Sequence, residues 1–215
     1  MFYEPAKNDH GLPFSPLKAI VAPRPIGWIS SLTPDGVANL APYSFFNLIG
    51  EQPALVMFTS VGRKHSVANV EATGEFVCNL ATLDLIDQVN ESSAPVPANV
   101  SEFDVVGLAP APSRLVKPPR VAVSPCALEC VHVETIQLKG RSGKPSEQYM
   151  VIGEVVGVHI DEAALVDGRV DTAKVQALAR CGYLDYAPVE HLIERGRPKG
   201  AGVELAPRRS QPAQG

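Results

Sequence analysis

The sequence predicts a mainly β protein, an antiparallel barrel with short helices at its periphery. Six or more apolar or alternating runs of strand length are separated by turns that contain Gly or Pro, which is typical of hairpin connections in a barrel closed to leave few free edges. Helical spacing of apolar residues is confined to short stretches. With 215 residues and 45% hydrophobic content, the chain suits one domain with a full core.

Charge and cysteine content argue against several classes of function. A net charge of −4 disfavours a nucleic-acid surface, which needs Lys and Arg clustered over a whole face. No apolar stretch reaches membrane-spanning length and the first residues lack a secretory signal, so we expect no membrane partner. Four cysteines without a C-x-x-C pair are typical of reduced thiols, and we expect a cytoplasmic protein.

Cys126, Cys130 and His132 are the one group that suggests a metal site, because they would share one face of a strand. A four-residue step along a strand spans roughly 13 Å, which is too far for two ligands of one zinc ion. We therefore interpret these cysteines as small core residues and predict no metal.

The N-terminal part of the chain predicts an extended arm followed by a hairpin. Residues 1–25 are rich in Pro and Gly and predict an arm that lies along the barrel or a partner subunit. Ile26 to Thr33 is a strand, and Thr33-Pro34-Asp35-Gly36 is a turn that leads into a second strand, Val37 to Ala41.

The stretch from Asn39 to Ser66 carries the chemistry. The loop Tyr43 to Asn47 is rich in hydroxyls, amides and aromatics, and Ala54 to Ser60 predicts a strand buried on both faces. Lys64 to Thr73 predicts a helix closed by Gly74, with Arg63, Lys64, His65 and Ser66 beside the free N–H groups of its first turn. An aromatic ring with a phosphate tail would suit these two patches, and flavin mononucleotide (FMN) is the natural candidate. A solvated charged turn capped by Ser66 is the alternative.

The second half of the chain predicts more strands around one long loop. The expected elements are a strand at Phe76–Leu80, a helix at Leu83–Asn90, a surface excursion over 92–119 that acts as a lid or dimer contact, strands at Val121–Leu138 and Tyr149–Ile160, a turn or short helix at Asp161–Leu165, and a helix at Asp171–Arg180 closed by Gly182. From Arg195 onward the composition predicts a mobile tail.

Several phrases in this order resemble the flavin reductase-like family, whose members bind FMN on a split β-barrel. The matching phrases are Pro23 to Trp28, Gly36 to Asn47, Lys64 to Asn69, Ser101 to Phe103, Glu129-Cys130, Ile152 to Val155 and Tyr183 to Tyr186. The resemblance implies an N-terminal arm over 1–16, a split-barrel domain over 17–194 and a C-terminal tail over 195–215. It also implies a homodimer with FMN near the subunit interface.

Carried over by position, the resemblance implies a flavin site and no catalytic side chain. The residues implied near the ring and ribityl chain are Ser30, Ser31, Asn39, Tyr43, Ser44, Phe45, Phe46 and Asn47, and those implied at the phosphate are Thr59, Ser60, Arg63, Lys64, His65 and Ser66. Backbone N–H groups that face the negative charge of reduced flavin would ease its reduction, and Trp28, Phe45 and Phe46 would exclude water or simply fill the barrel.

The family likeness leaves three functions open. The first is an NAD(P)H-dependent FMN reductase, with NADH or NADPH as donor and a monooxygenase as a partner that uses reduced flavin. Many relatives carry Gly-Asp-His at a place where this chain has Glu147 and Gln148 and no histidine. The missing histidine favours the second function, a flavoredoxin-like electron carrier that receives electrons from a protein. His132 or His159 would have to compensate for that histidine. The third is a barrel that binds another phosphorylated ligand.

Overall fold

The computed structural model describes residues 1–196 and confirms a mostly β protein built on one large antiparallel sheet. The described part of the chain contains no helix long and apolar enough to cross a membrane. The predicted tail lies, from residue 197 onward, outside the described residues.

Within the described residues, fourteen strands and four α-helices follow one another. The strands are β1 (Arg24–Pro25), β2 (Gly27–Leu32), β3 (Ala38–Tyr43), β4 (Phe46–Glu51), β5 (Ala54–Val61), β6 (Glu75–Leu80), β7 (Pro110–Ala111), β8 (Arg120–Val121), β9 (Cys126–Lys139), β10 (Pro145–Ile160), β11 (Leu165–Val166), β12 (Arg169–Val170), β13 (Leu178–Arg180) and β14 (Tyr186–Pro188). The helices are α1 (Leu17–Ile20), α2 (His65–Thr73), α3 (Ile86–Glu91) and α4 (Glu102–Val105), with single 3-10 turns at Leu83–Leu85 and Glu162–Ala164.

The main sheet has seven strands in the order β3-β2-β6-β9-β10-β5-β4. Its edges, β3 and β4, are consecutive in sequence and are joined by Ser44 and Phe45 alone. No ladder joins β3 to β4 within residues 1–196, so hydrogen bonds do not close the predicted barrel. Phe45 O instead accepts from Thr59 N at 2.8 Å, which directs the chain alongside β5. The loop predicted over Tyr43–Asn47 is therefore only two residues long, because Tyr43 ends β3 and Phe46 begins β4. The sequence analysis did not predict β4.

Hydrophobic side chains fill both faces of β2, because successive residues of a strand point to opposite sides. Ile29 joins a cluster with Phe58 of β5, Phe76 of β6 and Val67 of α2. Trp28 joins a second cluster with Leu40 of β3 and Phe103 of α4. The first cluster holds α2 against the sheet, and the second holds α4.

The helix predicted over Asp171–Arg180 is wrong. Asp171 does act as a cap, since its Oδ1 accepts from the N–H groups of Ala173 and Lys174, both at 3.0 Å. The chain then leaves the helical path at Gln176, where φ is +46°. Leu178–Arg180 forms β13 between β1 and β14. β1 comes from a distant part of the chain, which local spacing does not reveal.

The N-terminal arm is less extended than predicted. A turn of helix, α1, lies inside it, and Arg24 is buried beneath that turn. The guanidinium of Arg24 donates to Lys18 O at 2.6 Å and to Cys181 O at 2.7 Å. Arg24 therefore ties the end of α1 to the C-terminal part of the chain.

Candidate functional site

The start of α2 presents backbone donors without acceptors. β5 ends at Val61, Gly62 turns the chain with φ +77°, and α2 runs from His65 to Gly74, whose φ of +75° is the predicted left-handed cap. No side chain caps the start of α2. Within the first turn, the first N–H with an acceptor is that of Ala68, which donates to Lys64 O at 3.0 Å. The N–H groups before it, together with the helix dipole, favour an anion.

A buried polar cluster lies directly beneath this helix start. Asn39 of β3 stands opposite Ser31 of β2 and accepts at Oδ1 from Ser66 Oγ of α2 at 2.8 Å. Asn69, one turn further along α2, donates to Ser31 Oγ at 3.2 Å. Glu102 of α4 accepts from Asn39 Nδ2 at 2.8 Å. None of these five side chains belongs to a residue more than 6% exposed.

Tyr43 and Ser60 border the same place. The Tyr43 ring lies 4.8 Å from the ring of Phe58, centroid to centroid. Burial raises the pKa of Tyr43, whose hydroxyl has the hydroxyls of Ser66 and Ser60 as neighbours. Ser60 is 1% exposed and its Oγ has no hydrogen-bond partner. A buried hydroxyl without a partner costs free energy unless a ligand or water satisfies it.

The two cations predicted at the phosphate differ in their surroundings. Arg63 forms an ion pair with Glu71 of α2, and its guanidinium lies over the ring of Tyr149 at 5.4 Å. Lys64 is exposed and forms no ion pair with any residue in the described part of the chain. Lys64 is therefore the cation that is free to meet an anion at the start of α2.

The structure brings most of the predicted residues together, with exceptions. Ser30 lies on the opposite face of β2 from Ser31 and donates to Pro119 O at 2.5 Å. Trp28 is fully buried and donates to Ser92 Oγ at 2.9 Å, so it fills the core. Asn47 is exposed on β4, where its own Oδ1 accepts from Leu48 N at 3.0 Å.

The remaining predicted residues lie along the seam between β3 and β4. Ser44 and Phe45 form the link between these strands, and Phe45 is 39% exposed. Phe46 packs over Gly27, where an added Cβ would approach its ring to 2.5 Å. Thr59 lies beside them on β5. An exposed aromatic ring, small hydroxyls and backbone groups thus lie at one seam, as a planar ligand requires.

The site also includes three residues that the sequence analysis did not predict, namely Glu102, Asn69 and Tyr149. Glu102 and Asn69 lie inside the phrases Ser101 to Phe103 and Lys64 to Asn69, which carry the family likeness. That was the available signal, but only the fold shows that α4 reaches β3. The histidines considered as substitutes are used elsewhere, since His132 contacts Thr135 Oγ1 at 2.8 Å and His159 bonds to Glu129.

Two of the cysteines belong to the core against which the site residues Tyr43 and Phe46 pack. Cys130 and Cys78 are buried in the cluster around Ile29, and burial raises the pKa of the Cys78 thiol well above its usual range. The residues that the structure describes hold no group of three or more His, Cys, Asp or Glu placed to bind a metal ion.

These residues fit the FMN expected from the sequence. The orphaned Ser60 hydroxyl, the uncapped helix start and the free Lys64 form a donor set suited to a phosphate monoester, and the seam beside Phe45 is open to a ring.

Comparison with known proteins identifies the family of this chain. A family model described as "Flavin reductase like domain" matches residues 21–174. A protein of uncharacterised function from Deinococcus radiodurans is 37% identical over 178 residues, which cover 77% of this chain and 75% of that protein. The structure of nitrilotriacetate monooxygenase component B from Bacillus cereus matches with a TM-score of 0.81 at 29% identity, over 90% of this chain and 98% of that one. The 2-nitrobenzoate 2-nitroreductase of Pseudomonas fluorescens matches with a TM-score of 0.80 at 26% identity, over 94% and 100%.

A more distant structure shares the fold. The flavoredoxin of Desulfovibrio vulgaris has a TM-score of 0.73 at 20% identity, over 84% of this chain and 93% of that one. The family model spans all seven strands of the main sheet and α2 to α4, the elements that build the site. The chain belongs to the flavin reductase-like family.

Proposed function

We propose that this protein binds FMN at the start of α2 and acts as an NAD(P)H-dependent flavin reductase. The observation that supports this most strongly is the orphaned Ser60 hydroxyl, which neighbours Tyr43 together with Ser66 of the uncapped first turn of α2. A buried donor with no partner inside the protein is explained by a ligand that accepts from it. The family match to residues 21–174 makes a flavin the natural ligand.

The chain's own residues would hold and surround the flavin. Lys64, the Ser60 hydroxyl and the first N–H groups of α2 would bind the phosphate, and the seam beside Phe45 would receive the ring. FMN itself supplies the two-electron redox chemistry. We therefore assign no nucleophile or general base, and the protein's contributions are binding, orientation and exclusion of water.

We also propose the finer architecture that the resemblance implied. It comprises an arm over 1–16, a split barrel over 17–194 in which β3 and β4 form the open seam, and a homodimer with FMN near the interface. An apolar cavity mouth supports the dimer, because Val158 is 60% exposed and Ile160 46% exposed at its rim. The likeness to a monooxygenase component B supports a monooxygenase as the consumer of reduced flavin.

Anaerobic mixing of the FMN-loaded protein with NADH and with NADPH tests the activity. We expect the flavin absorbance near ~450 nm to fade with at least one nicotinamide, as hydride transfer reduces the flavin. Loss of absorbance with dithionite but with neither nicotinamide would contradict the reductase. A preparation that takes up no added FMN would contradict the flavin site itself and favour another phosphorylated ligand.

Gln148 favours a second function, a flavoredoxin-like carrier that receives electrons from a protein. This residue replaces the histidine of many relatives and lies opposite Val61, next to the Gly62 turn. Its Oε1 is buried without a hydrogen-bond partner, so the position offers an acceptor and no titratable group. Full reduction by a reduced ferredoxin-type donor, with none by NADH or NADPH, would identify the carrier.

A further inference from the structure

We infer that Glu102 is a positioning residue that turns the Ser66 hydroxyl away from the phosphate, so that Ser60 is the hydroxyl that donates to it. This inference rests on the proposed FMN site and concerns which side chains of that site do the binding. By sequence alone Ser66, in the first turn of α2, is the obvious hydroxyl ligand. The hydrogen bonds beneath α2 assign that role differently.

The Glu102 carboxylate fixes the orientation of the Asn39 amide. Glu102 is 4% exposed, and its two oxygens accept from Leu40 N at 2.9 Å and from Asn39 Nδ2 at 2.8 Å. An ionised carboxylate can only accept, so the NH₂ group of Asn39 must face it. The amide oxygen of Asn39 then has to face α2.

That oxygen takes the only proton of the Ser66 hydroxyl. Ser66 Oγ donates to Asn39 Oδ1 at 2.8 Å, and Ser66 is 1% exposed. A hydroxyl has a single proton, so Ser66 then shows only lone pairs to its other neighbours. Lone pairs repel a phosphate oxygen, so Ser66 can donate a hydrogen bond to an anion only through its backbone N–H.

The other neighbours of Asn39 keep the same direction. Ser31 Oγ lies 3.4 Å from Asn39 Oδ1 as a second donor, while Asn69 Nδ2 donates to Ser31 Oγ at 3.2 Å. Each of these bonds runs toward Asn39 Oδ1, and each would have to be remade if the amide turned over. Glu102 is the acceptor at the end of this chain and therefore sets its direction.

Ser60 differs from Ser66 in having an uncommitted proton. It is 1% exposed on β5, near the Tyr43 hydroxyl, and its Oγ has no hydrogen-bond partner. A phosphate at the start of α2 could accept this proton with only the Tyr43 hydroxyl nearby to compete for it. The two serines thus look alike in the sequence and have opposite roles in the structure.

The test compares the affinities of FMN and riboflavin, which differ only in the phosphate, for four variants of the full chain. Ser60→Ala should weaken FMN binding about tenfold and leave riboflavin binding unchanged, whereas Ser66→Ala should change the FMN-to-riboflavin ratio by less than about twofold. Flavin fluorescence titration measures both affinities.

Glu102→Gln should reverse the chain of hydrogen bonds. The new carboxamide must place its oxygen at Leu40 N and its NH₂ at Asn39, so the Asn39 amide turns over and the Ser66 proton becomes free. Ser66→Ala, which should have little effect on either affinity by itself, should then lower the ratio of FMN affinity to riboflavin affinity several-fold in the Glu102→Gln background. If Glu102 were only structural, its replacement would weaken both flavins equally and would leave Ser66→Ala silent.

Each outcome supports or contradicts one claim. If Ser66→Ala costs as much FMN affinity as Ser60→Ala in the otherwise unchanged protein, the inference is wrong while FMN binding stands. If the unchanged protein does not prefer FMN to riboflavin, the proposed phosphate site fails, and this inference fails with it. If Glu102→Gln does not fold, the two serine variants, each lacking one oxygen atom, still decide which hydroxyl donates.

Discussion

Single residues at the start of α2 differ in whether their charges and protons are already in use. Arg63 is paired with Glu71 and lies over Tyr149. An anion that binds Arg63 must therefore either displace the Glu71 carboxylate or lie close to it, where the like charges repel. Lys64 has no such partner among the described residues. The sequence alone does not distinguish the two cations, because it does not reveal that Glu71, two turns along α2, pairs with Arg63.

We expect Lys64→Ala to weaken FMN binding roughly five- to tenfold and Arg63→Ala only about twofold, because a charge already paired contributes less to a new ion pair. Titration with FMN and riboflavin measures the phosphate contribution. Lys144→Ala, an exposed lysine in the β9–β10 hairpin, is the matched control and should have no effect. In a Glu71→Gln background, where Arg63 has lost its ion pair, Arg63→Ala should reduce FMN affinity more than it does in the unchanged protein. A larger loss for Arg63→Ala than for Lys64→Ala in the unchanged protein would contradict this ranking.

At the level of elements, one buried carboxylate holds the loop after β7 against the β9–β10 hairpin. Glu129 of β9 accepts from the N–H groups of Arg114 at 2.7 Å, Leu115 at 2.6 Å and Val116 at 3.1 Å. His159 of β10 bonds to the same carboxylate. Burial alone would raise the pKa of Glu129, but these donors, Arg114 N–H and His159 foremost, lower it to about 2.

Stability should therefore fall on acidification in a window set by Glu129. Its folded pKa is depressed, so its contribution is present above the ordinary value of 4.5 and is lost as pH falls from there toward about 2. We expect Glu129→Gln to lower the free energy of unfolding at pH 7 by about 2 to 3 kcal/mol, through loss of charged hydrogen bonds. Urea unfolding at several pH values measures this. The gap between the two proteins should narrow below pH 4.5, and a constant gap would contradict the assignment.

Local patterns predicted the elements whose partners lie nearby and failed where partners come from far along the chain. The apolar run Ala54–Ser60 and the helix before Gly74 were confirmed as β5 and α2. The helix predicted from Asp171 onward was wrong, because the chain turns at Gln176 into β13, which pairs with the distant β1. Glu102 and Asn39, 63 positions apart in sequence, could not be joined before the fold placed α4 against β3.

At the scale of the whole molecule, one apolar cavity opens at the surface beside β10. The cavity has a volume of about 310 Å³, and Phe46, Cys78 and Leu128 are among the residues that line it. Val158 and Ile160 of β10 stand at its rim with 60% and 46% of their surfaces exposed. Exposed aliphatic residues that continue a core outward are typical of a surface covered by another protein. A second copy of the chain is the cover that the family resemblance implies.

We expect light scattering after gel filtration to give twice the chain mass of 22.9 kDa for the unchanged protein. Val158→Asp should shift it toward the monomer, because burying an unpaired carboxylate at an apolar interface costs several kcal/mol. Val105→Asp, which alters a valine of α4 that is 54% exposed and does not line the cavity, is the matched control and should remain dimeric. A monomer in the unchanged protein would remove the dimer from the proposal. A dimeric Val158→Asp would instead place the interface elsewhere on the sheet. Because FMN is proposed to lie near the interface, dissociation should also weaken FMN binding, and titration of the monomeric variant measures that link.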